Sequence, residues 1–490
     1  MATNAFFFVG HAGVWCGTQI VKVLMEEHGL DDAWETGKPG GAGKRSGEYL
    51  EPFFGKVNQG MINSYWGEES GVAPDSLVLR AFGVDFSHHA GPKLGSVSLK
   101  SLPHLDKRPE SERKPFPLPF VQWNKEGQGA ANKWWQGYKI AAENLPAHLD
   151  PQFAEPGKGT LDSSPFGFPH ATTFHIVHSC AGGTGSGAGT FLTEYLRRSR
   201  PDALILNYVI VPSKGDPALP RLAYYNAVLT LAALLGKLPP IPSIRRVTGT
   251  TKVSDAVFIF RNAALSRVFQ FGHPTKPKSN SELNPIIAHF ISNLTSCARF
   301  AGERPDEHER DISDIVTNLV PKDQRLVVPL LAPANETEQV RAINHLVRRL
   351  LSDDFNLAGA TLKRGEVDSF YLGARGPLRE EELHIAINQI QQDLEISYDI
   401  PFNQTAKPSR GYTHELWGAA GSRSVQALLN EIVKNARRDF EDGIHKPDLE
   451  ARDMWGFLDM AMNALESYTT PIPPKAGPVV PVKRKKVVEK

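Results

Sequence analysis

A glycine-rich segment at residues 179–190, with the sequence SCAGGTGSGAGT, constrains this chain more than any other feature. It follows a strand-like apolar run at 173–178 and leads into a helix-like run at 190–198. Glycines let backbone N–H groups approach an anion closely, and the N-terminus of the following helix adds partial positive charge. The context predicts a phosphate-binding loop, and a flexible Gly/Ser loop is the alternative.

Two common phosphate loops do not fit this segment. A Walker A loop carries a lysine after its glycines, and none follows here. A dinucleotide loop of the Gly-x-Gly-x-x-Gly type follows the first strand of its sheet, whereas this segment begins at residue 179. The nucleotide therefore has to be inferred from the rest of the chain.

The first half of the chain alternates strand-like and helix-like runs. The strand candidates are 5–9, 77–85, 173–178, 203–213 and 256–261, and the helix candidates are 19–28 and 190–198. Strands that alternate with helices are typical of a parallel sheet covered on both faces. We therefore predict an α/β fold with a parallel, doubly wound first domain.

The second half opens with one long helix at 280–300, whose apolar residues recur at helical spacing. Pro285 falls in its first turn, where a missing N–H costs little. Strand candidates at 325–332, 369–376 and 414–420, with helix candidates at 338–352 and 379–394, predict a second α/β domain. Helices are predicted at 424–440 and 449–468, surface loops at 96–120 and 145–168, and a disordered tail at 471–490.

Composition excludes several classes of protein. The chain has 490 residues, with 55 Lys and Arg against 54 Asp and Glu, so it is not built as a whole to coat nucleic acid. The sequence contains no run of eighteen apolar residues, so no transmembrane helix is predicted. The cysteines at 16, 180 and 297 have neither metal-ligand nor disulfide spacing, which favours a reducing cytoplasm.

Several short motifs occur in the order expected for one family. They are residues 12–20 (AGVWCGTQI), 80–85 (RAFGVD), 129–134 (GAANKW), 178–187 (HSCAGGTGSG), 211–213 (VPS), 225–227 (YNA) and 317–321 (TNLVP). Together they resemble the tubulin/FtsZ superfamily over about residues 5–468. The two helices expected at the C-terminal end make the resemblance closer to tubulins than to FtsZ.

The resemblance implies a tubulin-like fold that binds GTP or GDP with Mg²⁺. It implies a GTP-binding domain at 1–279, a central core helix at 280–300, an intermediate domain at 301–422 and a C-terminal helical region at 423–470, before the basic tail. The GTP-binding residues carried over are Gly13, Cys16, Gly17, Gln19, Ala131, Asn132, Ser179, Gly182, Gly183, Thr184, Gly185, Ser186, Pro212, Asn262 and Asn284. Asp85 would act near the magnesium.

Within that set, the resemblance gives each group a part of the nucleotide. Cys16, Gly17 and Gln19 would lie along the phosphates and base, and residues 183–186 would cradle the α- and β-phosphates. Ala131 and Asn132 would close over the γ-phosphate. Asn262 and Asn284 would read guanine, since an amide offers both a donor and an acceptor.

The chain departs from the family pattern at three nucleotide-site positions. The aromatic residue that stacks on guanine falls on Asn280, and the ribose-binding glutamate falls on Ala223. Tyr224 or Tyr225 would be the substitute for the missing ring. The second acidic residue expected near the metal is Ser87.

An acidic pair, Asp311 and Asp314, matches the residues that a subunit of this family inserts into its neighbour's GTP site. Their spacing of three puts both carboxylates on one helical face, where they would polarise the attacking water. The plain alternative is a helix N-terminus that favours acidic residues. The preceding 303–310 loop departs from the pattern by an insertion of about four residues and by Glu309 in place of an asparagine.

The resemblance thus implies a cytoskeletal GTPase of the cytoplasm that polymerises head to tail with itself or with a second tubulin-like subunit. A non-polymerising regulatory GTP-binding protein of the same fold is the alternative. A dinucleotide-dependent oxidoreductase would leave the 182–187 segment unexplained. In the final sixteen residues, six Lys or Arg stand against one Glu, so the tail favours an anionic partner.

Overall fold

The structure is a computed structural model. It describes residues 3–28, 53–56, 77–85, 120–122, 130–153, 171–216, 219–238, 253–272, 275–277, 279–300, 311–320, 324–335, 343–405, 407–409, 412–442 and 452–468. Several features singled out in the sequence lie outside these ranges: Ser87, residues 96–119 of the first predicted surface loop, residues 154–168 of the second, the 303–310 loop and the 471–490 tail.

The described residues form twelve strands and eleven α-helices. The strands are β1 (Thr3–Val9), β2 (Phe54–Lys56), β3 (Leu77–Leu79), β4 (Ala81–Asp85), β5 (Phe120–Gln122), β6 (Ala171–Ser179), β7 (Leu204–Val211), β8 (Ala256–Arg261), β9 (Leu326–Asn335), β10 (Val367–Arg375), β11 (Phe402–Thr405) and β12 (Tyr412–Ser422). The helices are α1 (Gly10–Glu27), α2 (Trp134–Phe153), α3 (Gly189–Ser199), α4 (Ala223–Leu234), α5 (Asn262–Gly272), α6 (Asn284–Thr295), α7 (Ile312–Leu319), α8 (Ile343–Leu351), α9 (Glu380–Leu394), α10 (Val425–Glu441) and α11 (Arg452–Glu466).

Ten of these strands make one sheet, in the order β11-β10-β12-β9-β8-β7-β6-β1-β4-β5. Every pairing from β5 to β9 is parallel, and the β9-β12-β10 pairings are antiparallel. The predicted α/β fold with a parallel first domain is confirmed. The two halves share this sheet through the β8–β9 pairing, in which Val257 faces Leu326.

Strand β1 lies at the switch point, where the order of successive strands in the sheet reverses. Its neighbours are β4 on one side and β6 on the other. In open α/β sheets, ligands bind at the carboxyl ends of the strands flanking such a switch point. The glycine-rich segment follows β6 and therefore emerges at this place.

The apolar run in β1 contributes buried side chains to both faces of the sheet. Phe7 packs into one buried cluster with α2, α3 and α4, while Phe6 and Phe8 pack into a second cluster with α1 and α6. All three rings are fully buried. A continuous apolar run is expected for a strand covered on both sides.

The long helix predicted at 280–300 is present in three consecutive pieces. A 3-10 turn at Asn280–Leu283 runs into α6, and a second 3-10 turn follows at Ser296–Ala298. Pro285 occupies the first turn of α6 as predicted. The helix runs beside α1 in the same direction, since Cys16 contacts Asn284 and Glu27 contacts Ser292.

The prediction of a surface loop at 145–168 is wrong for its first part, because α2 continues to Phe153. Leu145 and Leu149 are fully buried and extend the apolar stripe of that helix. Burying a leucine stabilises by about 1.5–3 kcal/mol. That gain offsets the backbone hydrogen bond that Pro146 cannot make. In the described part of the chain, no helix has the length and apolarity needed to cross a bilayer.

Candidate functional site

Two helix N-termini meet at the carboxyl edge of the sheet. Helix α1 begins directly after β1, and a π-helical turn at Thr184–Ala188 follows β6 and leads into α3. A Cβ on Gly10 would lie 2.7 Å from the backbone nitrogen of Gly185, so the two backbones touch there. Gly10 also has a φ of +73°, which favours glycine. Adjacent helix N-termini create a region of positive potential suited to phosphate.

Most glycines of the segment serve close packing. A Cβ on Gly183 would lie 2.6 Å from Lys133 N, one on Gly185 2.5 Å from Ser179 O, and one on Gly187 2.1 Å from Trp134 O. Gly182 differs, because among the residues that the structure describes its Cβ would meet only Asn132 Oδ1, at 3.9 Å. Gly182 is therefore the position of the run that faces open space.

The two serine hydroxyl groups of the segment bond within the protein. Ser186 Oγ donates to Gly183 O at 3.2 Å, and Ser179 Oγ accepts from Ala181 N at 3.2 Å. Ser186 is fully buried, while Thr184 is half-buried. Backbone N–H groups, more than these hydroxyls, are thus the donors that the turn offers to an anion.

The 130–133 loop lies against the glycine-rich turn in a strained conformation. Ala131 and Asn132 have φ values of 47° and 56°, the left-handed region that costs energy for residues with a side chain. Both residues are exposed. Non-glycine residues held in this region cluster at ligand clamps and switch regions, which supports the expected contact with a terminal phosphate.

A fully buried asparagine joins that loop to the turn. Asn226 Oδ1 accepts from Trp134 N at 2.9 Å, and Asn226 Nδ2 donates to Asn132 O at 2.9 Å and Ala181 O at 2.8 Å. Asn226 lies in the YNA motif at residues 225–227, but its role could not be predicted from that motif. The available signal was a polar residue inside the otherwise apolar helix α4.

The two predicted guanine readers lie near the 3-10 turn that precedes α6. This turn contacts both α1 and α5. Asn284 Oδ1 accepts a hydrogen bond from Cys16 Sγ at 3.1 Å, and burial raises the pKa of the Cys16 thiol, so the donor proton stays. Asn262 Nδ2 donates to Asp216 Oδ2 at 2.9 Å.

The remaining predicted residues of α1 and the β7 loop divide into two groups. Gly13 and Gly17 pack on the sheet, since a Cβ would lie 2.3 Å from Val177 O and 2.2 Å from the Phe8 ring, respectively. Their direct contact with a nucleotide remains a prediction. Gln19 lies one turn beyond Cys16 and is half-buried, and Pro212 is buried directly after β7.

Asp85 is the metal candidate. It ends β4 beside the start of α1 and is 1% exposed. The described residues contain no group of three or more His, Cys, Asp or Glu arranged to hold a metal ion. Mg²⁺ bound with a nucleotide needs only one or two protein carboxylates, because phosphates and waters supply the other ligands. A single buried carboxylate at this edge fits that requirement.

A polar layer supports the glycine-rich turn from below. His178 is fully buried, and its Nε2 lies 3.1 Å from Asn207 Oδ1. Burial lowers the pKa of His178 to about 4, so the ring is neutral at pH 7 and donates from Nε2. A Cβ on Gly189 would lie 2.7 Å from His178 Nδ1, which shows how closely the ring packs under the helix start.

The acidic pair lies at the other end of α6. Asp311 occupies the N-cap position of α7 without a side-chain cap bond, and Asp314 is exposed in its first turn. Burial and the charge of Asp311 raise the pKa of Cys297 to about 12, which places Asp311 near the second 3-10 turn. Asn284 lies at the opposite end, at the start of α6, and the twelve residues of this helix span about 18 Å.

Comparison with known proteins shows that the chain is similar to tubulins. The model of the Tubulin/FtsZ family, GTPase domain, matches residues 167–270. Human tubulin beta-1 chain is 26% identical over 442 residues, covering 87% of this chain and 83% of the relative. Human tubulin epsilon chain is 24% identical over 345 residues, covering 65% and 68%. The tubulin beta-1 chain of Geotrichum candidum is 26% identical over 318 residues, and the alignment covers 62% of this chain and 64% of the relative, just under two thirds.

Proposed function

The chain belongs to the tubulin/FtsZ superfamily as a divergent relative of the tubulins, and on that premise we propose that it is a GTPase that assembles head to tail into filaments. Its nucleotide site is the crevice between β1 and β6. The separation of the acidic pair from that crevice carries the proposal, because it leaves the phosphates of a single chain without the acidic pair that would orient the attacking water.

The proposed nucleotide lies with its phosphates over the glycine-rich turn and the start of α1. Backbone N–H groups at Gly182 and the two helix N-termini would hold the phosphate oxygens. Ala131 and Asn132 cover the γ-phosphate, and Asp85 would hold Mg²⁺. Bound Mg²⁺ would neutralise charge on the β- and γ-phosphate oxygens.

Hydrolysis requires a base or positioning group beside the attacking water. Asp314 is exposed in the first turn of α7, and Asp311, at the N-cap position of that helix, lies near the 3-10 turn that follows α6, whereas Asn284 begins α6. Asp314 cannot reach the site of its own chain, but head-to-tail stacking would bring it onto the site of the next subunit. There Asp311 and Asp314 would orient a water for attack on the γ-phosphorus, breaking the bond to the β–γ bridging oxygen and releasing GDP and phosphate.

A head-to-tail contact uses two different surfaces of each subunit, so it generates an open filament unless a rotation closes it. This arrangement couples hydrolysis to assembly. Such a filament would belong to the cytoskeleton of the cytoplasm, as expected from the tubulin relatives. A second tubulin-like chain could occupy alternate positions, and the basic tail would lie outside the contact and attract an anionic partner.

The test measures GTP turnover per subunit against protein concentration, together with sedimentation in GTP and magnesium. Turnover should rise with concentration, and Asp314→Asn should bind GTP, sediment and hydrolyse slowly. The matched control Asp399→Asn changes another exposed aspartate and should behave like the wild type. Turnover that is independent of concentration, with full activity in Asp314→Asn, contradicts the proposal.

A mixing experiment tests whether the acid acts on the neighbouring subunit. Gly182→Asp places a negative charge where the phosphates would lie, while Asp314→Asn removes the acid. Each variant alone should be nearly inactive. A mixture should regain activity, because some contacts join an intact nucleotide site to an intact acid. Gly182→Ala is the control for the first variant, since in the described part of the chain its Cβ meets a single atom, at 3.9 Å.

A regulatory GTP-binding protein that does not polymerise is the second candidate. It is favoured by Asn280, which is exposed and donates hydrogen bonds to Asp216 in place of a ring stacked on the base. Ala223, at the position of the ribose-binding glutamate, is fully buried. GTP binding without sedimentation at any concentration would select this candidate over the filament.

A further inference from the structure

The carboxylate of Asp216 lies between two side-chain amides. Asn262 Nδ2 donates to its Oδ2 at 2.9 Å, and Asn280 Nδ2 donates to its Oδ1 and Oδ2 at 3.3 and 3.2 Å. The three residues come from the loop after β7, the start of α5 and the 3-10 turn before α6. Hydrogen bonds to a charged acceptor are stronger than those between neutral groups. Asp216 therefore fixes the orientation of the Asn262 amide.

Fixing the nitrogen of Asn262 leaves its oxygen as the atom available to a ligand. Within the part of the chain that the structure describes, Asn262 Oδ1 receives no hydrogen bond. Asn284 is held the opposite way round, because its Oδ1 accepts from Cys16 and its Nδ2 has no acceptor among the described residues. The two amides thus offer one acceptor and one donor.

This pair of opposite orientations matches one base edge. Guanine presents O6 as an acceptor and the N1–H and N2–H groups as donors. Asn284 Nδ2 can donate to O6, and Asn262 Oδ1 can accept from the N1 and N2 side. Adenine presents an amino group in place of O6 and no donor at position 1 or 2. It would therefore face unmatched groups at both amides.

Given the GTP site proposed above, we propose that Asp216 is a positioning residue that sets the preference for guanine by holding the oxygen of Asn262 toward the 2-amino group. Asn280 completes the arrangement as a second donor to the carboxylate. This explains why an amide stands where the family resemblance leads one to expect an aromatic ring. The ring would stack on the base but could not hold Asp216.

The test compares GTP with ITP, whose base lacks only the 2-amino group, in competition for the purified full-length protein. The wild type should prefer GTP. Asp216→Ala should lower the GTP-over-ITP ratio by about five- to tenfold, the loss of roughly one well-oriented hydrogen bond. Asp216→Asn keeps an acceptor oxygen and should restore most of the preference.

Two further measurements separate positioning from a merely structural effect. XTP carries a carbonyl at position 2, so a released Asn262 amide can turn its nitrogen toward it, and Asp216→Ala should gain relative affinity for XTP. In a chain that already carries Asn262→Ala, adding Asp216→Ala should leave the GTP-over-ITP ratio unchanged, because Asp216 acts through Asn262. A further fall in that background would overturn the positioning role.

Asn280→Ala keeps the test valid should Asp216→Ala fold poorly, since Asn280 is exposed. It should lower the GTP-over-ITP ratio about two- to threefold. Asp202→Ala, an exposed aspartate before the amino end of β7, is the matched control and should leave the ratio unchanged. An unchanged ratio in both Asp216→Ala and Asn280→Ala overturns the inference and leaves the GTP site standing. A wild type that binds no GTP overturns the proposed function as well.

Discussion

Asn226 Nδ2 donates a hydrogen bond to Asn132 O at 2.9 Å, across 94 positions of sequence. The same nitrogen donates to Ala181 O, and the side-chain oxygen accepts from Trp134 N. One buried amide thus fixes the strained 130–133 loop relative to the glycine-rich turn.

Replacing that amide should loosen the site and lower stability. Asn226→Ala leaves the buried N–H of Trp134 without its partner, which costs about 1–3 kcal/mol, and removes two hydrogen bonds to the partly buried carbonyls of Asn132 and Ala181, each worth about 0.5–1.5 kcal/mol. We expect a drop of about 3 kcal/mol or more in the unfolding free energy, measured by urea denaturation. Asn430→Ala, at an exposed position of α10, is the control. A drop below about 0.5 kcal/mol would contradict the bridging role.

The open space at Gly182 allows a charge to be added without disturbing the fold. Gly182→Asp should fold normally and lose GTP affinity by about 2–4 kcal/mol, roughly thirtyfold to a thousandfold, through repulsion of the phosphates. Gly182→Ala should bind almost as the wild type does. Calorimetric titration with GTP measures both. Equal affinity of the two variants for GTP would show that the phosphates do not bind beside Gly182.

A neighbouring glycine offers the opposite test. Gly187→Ala would place its Cβ 2.1 Å from Trp134 O, so the turn or α2 has to move. We expect a loss of about 1–3 kcal/mol in the unfolding free energy, as for other overpacked positions. Thermal unfolding beside Gly182→Ala gives the comparison. Equal stabilities would mean that the segment is less tightly packed than the structure indicates.

The thiol of Cys16 should matter through its proton. Cys16→Ala removes the donor to Asn284 and should lower GTP affinity about fivefold, whereas Cys16→Ser keeps a hydroxyl donor and should bind normally. Fluorescent GTP binding measures the difference. Cys297→Ala, at the far end of α6, is the control. If the alanine and serine variants bind equally, the hydrogen bond does not orient Asn284.

Elements with strong periodicity could be predicted from the sequence. The run Phe6–Phe8 has no polar alternation, which is typical of a strand covered on both faces, and the structure buries all three rings. The apolar stripe of α6 and its Pro285 start also follow from spacing alone. The family motifs at residues 12–20 and 178–187 predict a nucleotide site, and both segments lie at the switch point beside β1.

Contacts between distant segments could not be predicted in this way. The Asn226 bridge and the Asp216 arrangement each join residues more than forty positions apart, and no local pattern encodes either one. At 145–153, proline content indicated a loop while the buried Leu145 and Leu149 continue a helix. The packing role of Gly183 and Gly187 also becomes visible only beside α2.

The basic tail at 471–490 should act separately from the GTPase. Truncation after Thr470 should leave GTP turnover intact, because the tail belongs to neither the proposed site nor the acidic pair. It should abolish salt-sensitive co-sedimentation of filaments with DNA or anionic liposomes, since repeated basic tails bind anions by multivalency. If full-length filaments bind neither DNA nor anionic liposomes at low salt, the hypothesis that the tail recruits an anionic partner is wrong.

Buried histidines under the site should make stability depend on pH. Burial lowers the pKa of His178 to about 4 and that of His175 to about 3, from an ordinary 6.5. The unfolded chain takes up protons below about pH 6.5, whereas the folded chain does not. The stabilisation is therefore complete above pH 6.5 and is lost as the pH falls toward the folded values. The expected slope is up to about 1.4 kcal/mol per pH unit for each histidine.

The variant His178→Gln isolates one of these two contributions. Glutamine can still donate to Asn207 but does not titrate, so the fall in unfolding free energy between pH 7.5 and about 5.5 should be roughly halved. Burial raises the pKa of the Glu27 carboxyl, but the charges of Arg375 and Arg299 outweigh that effect and hold the pKa below its ordinary value. Buried carboxylates of this kind therefore lose their stabilisation only at lower pH. Urea denaturation at several pH values measures the slope. His384→Gln, with a side chain 59% exposed, is the control and should keep the slope of the wild type. The same slope in His178→Gln would show that His178 becomes protonated within the folded protein.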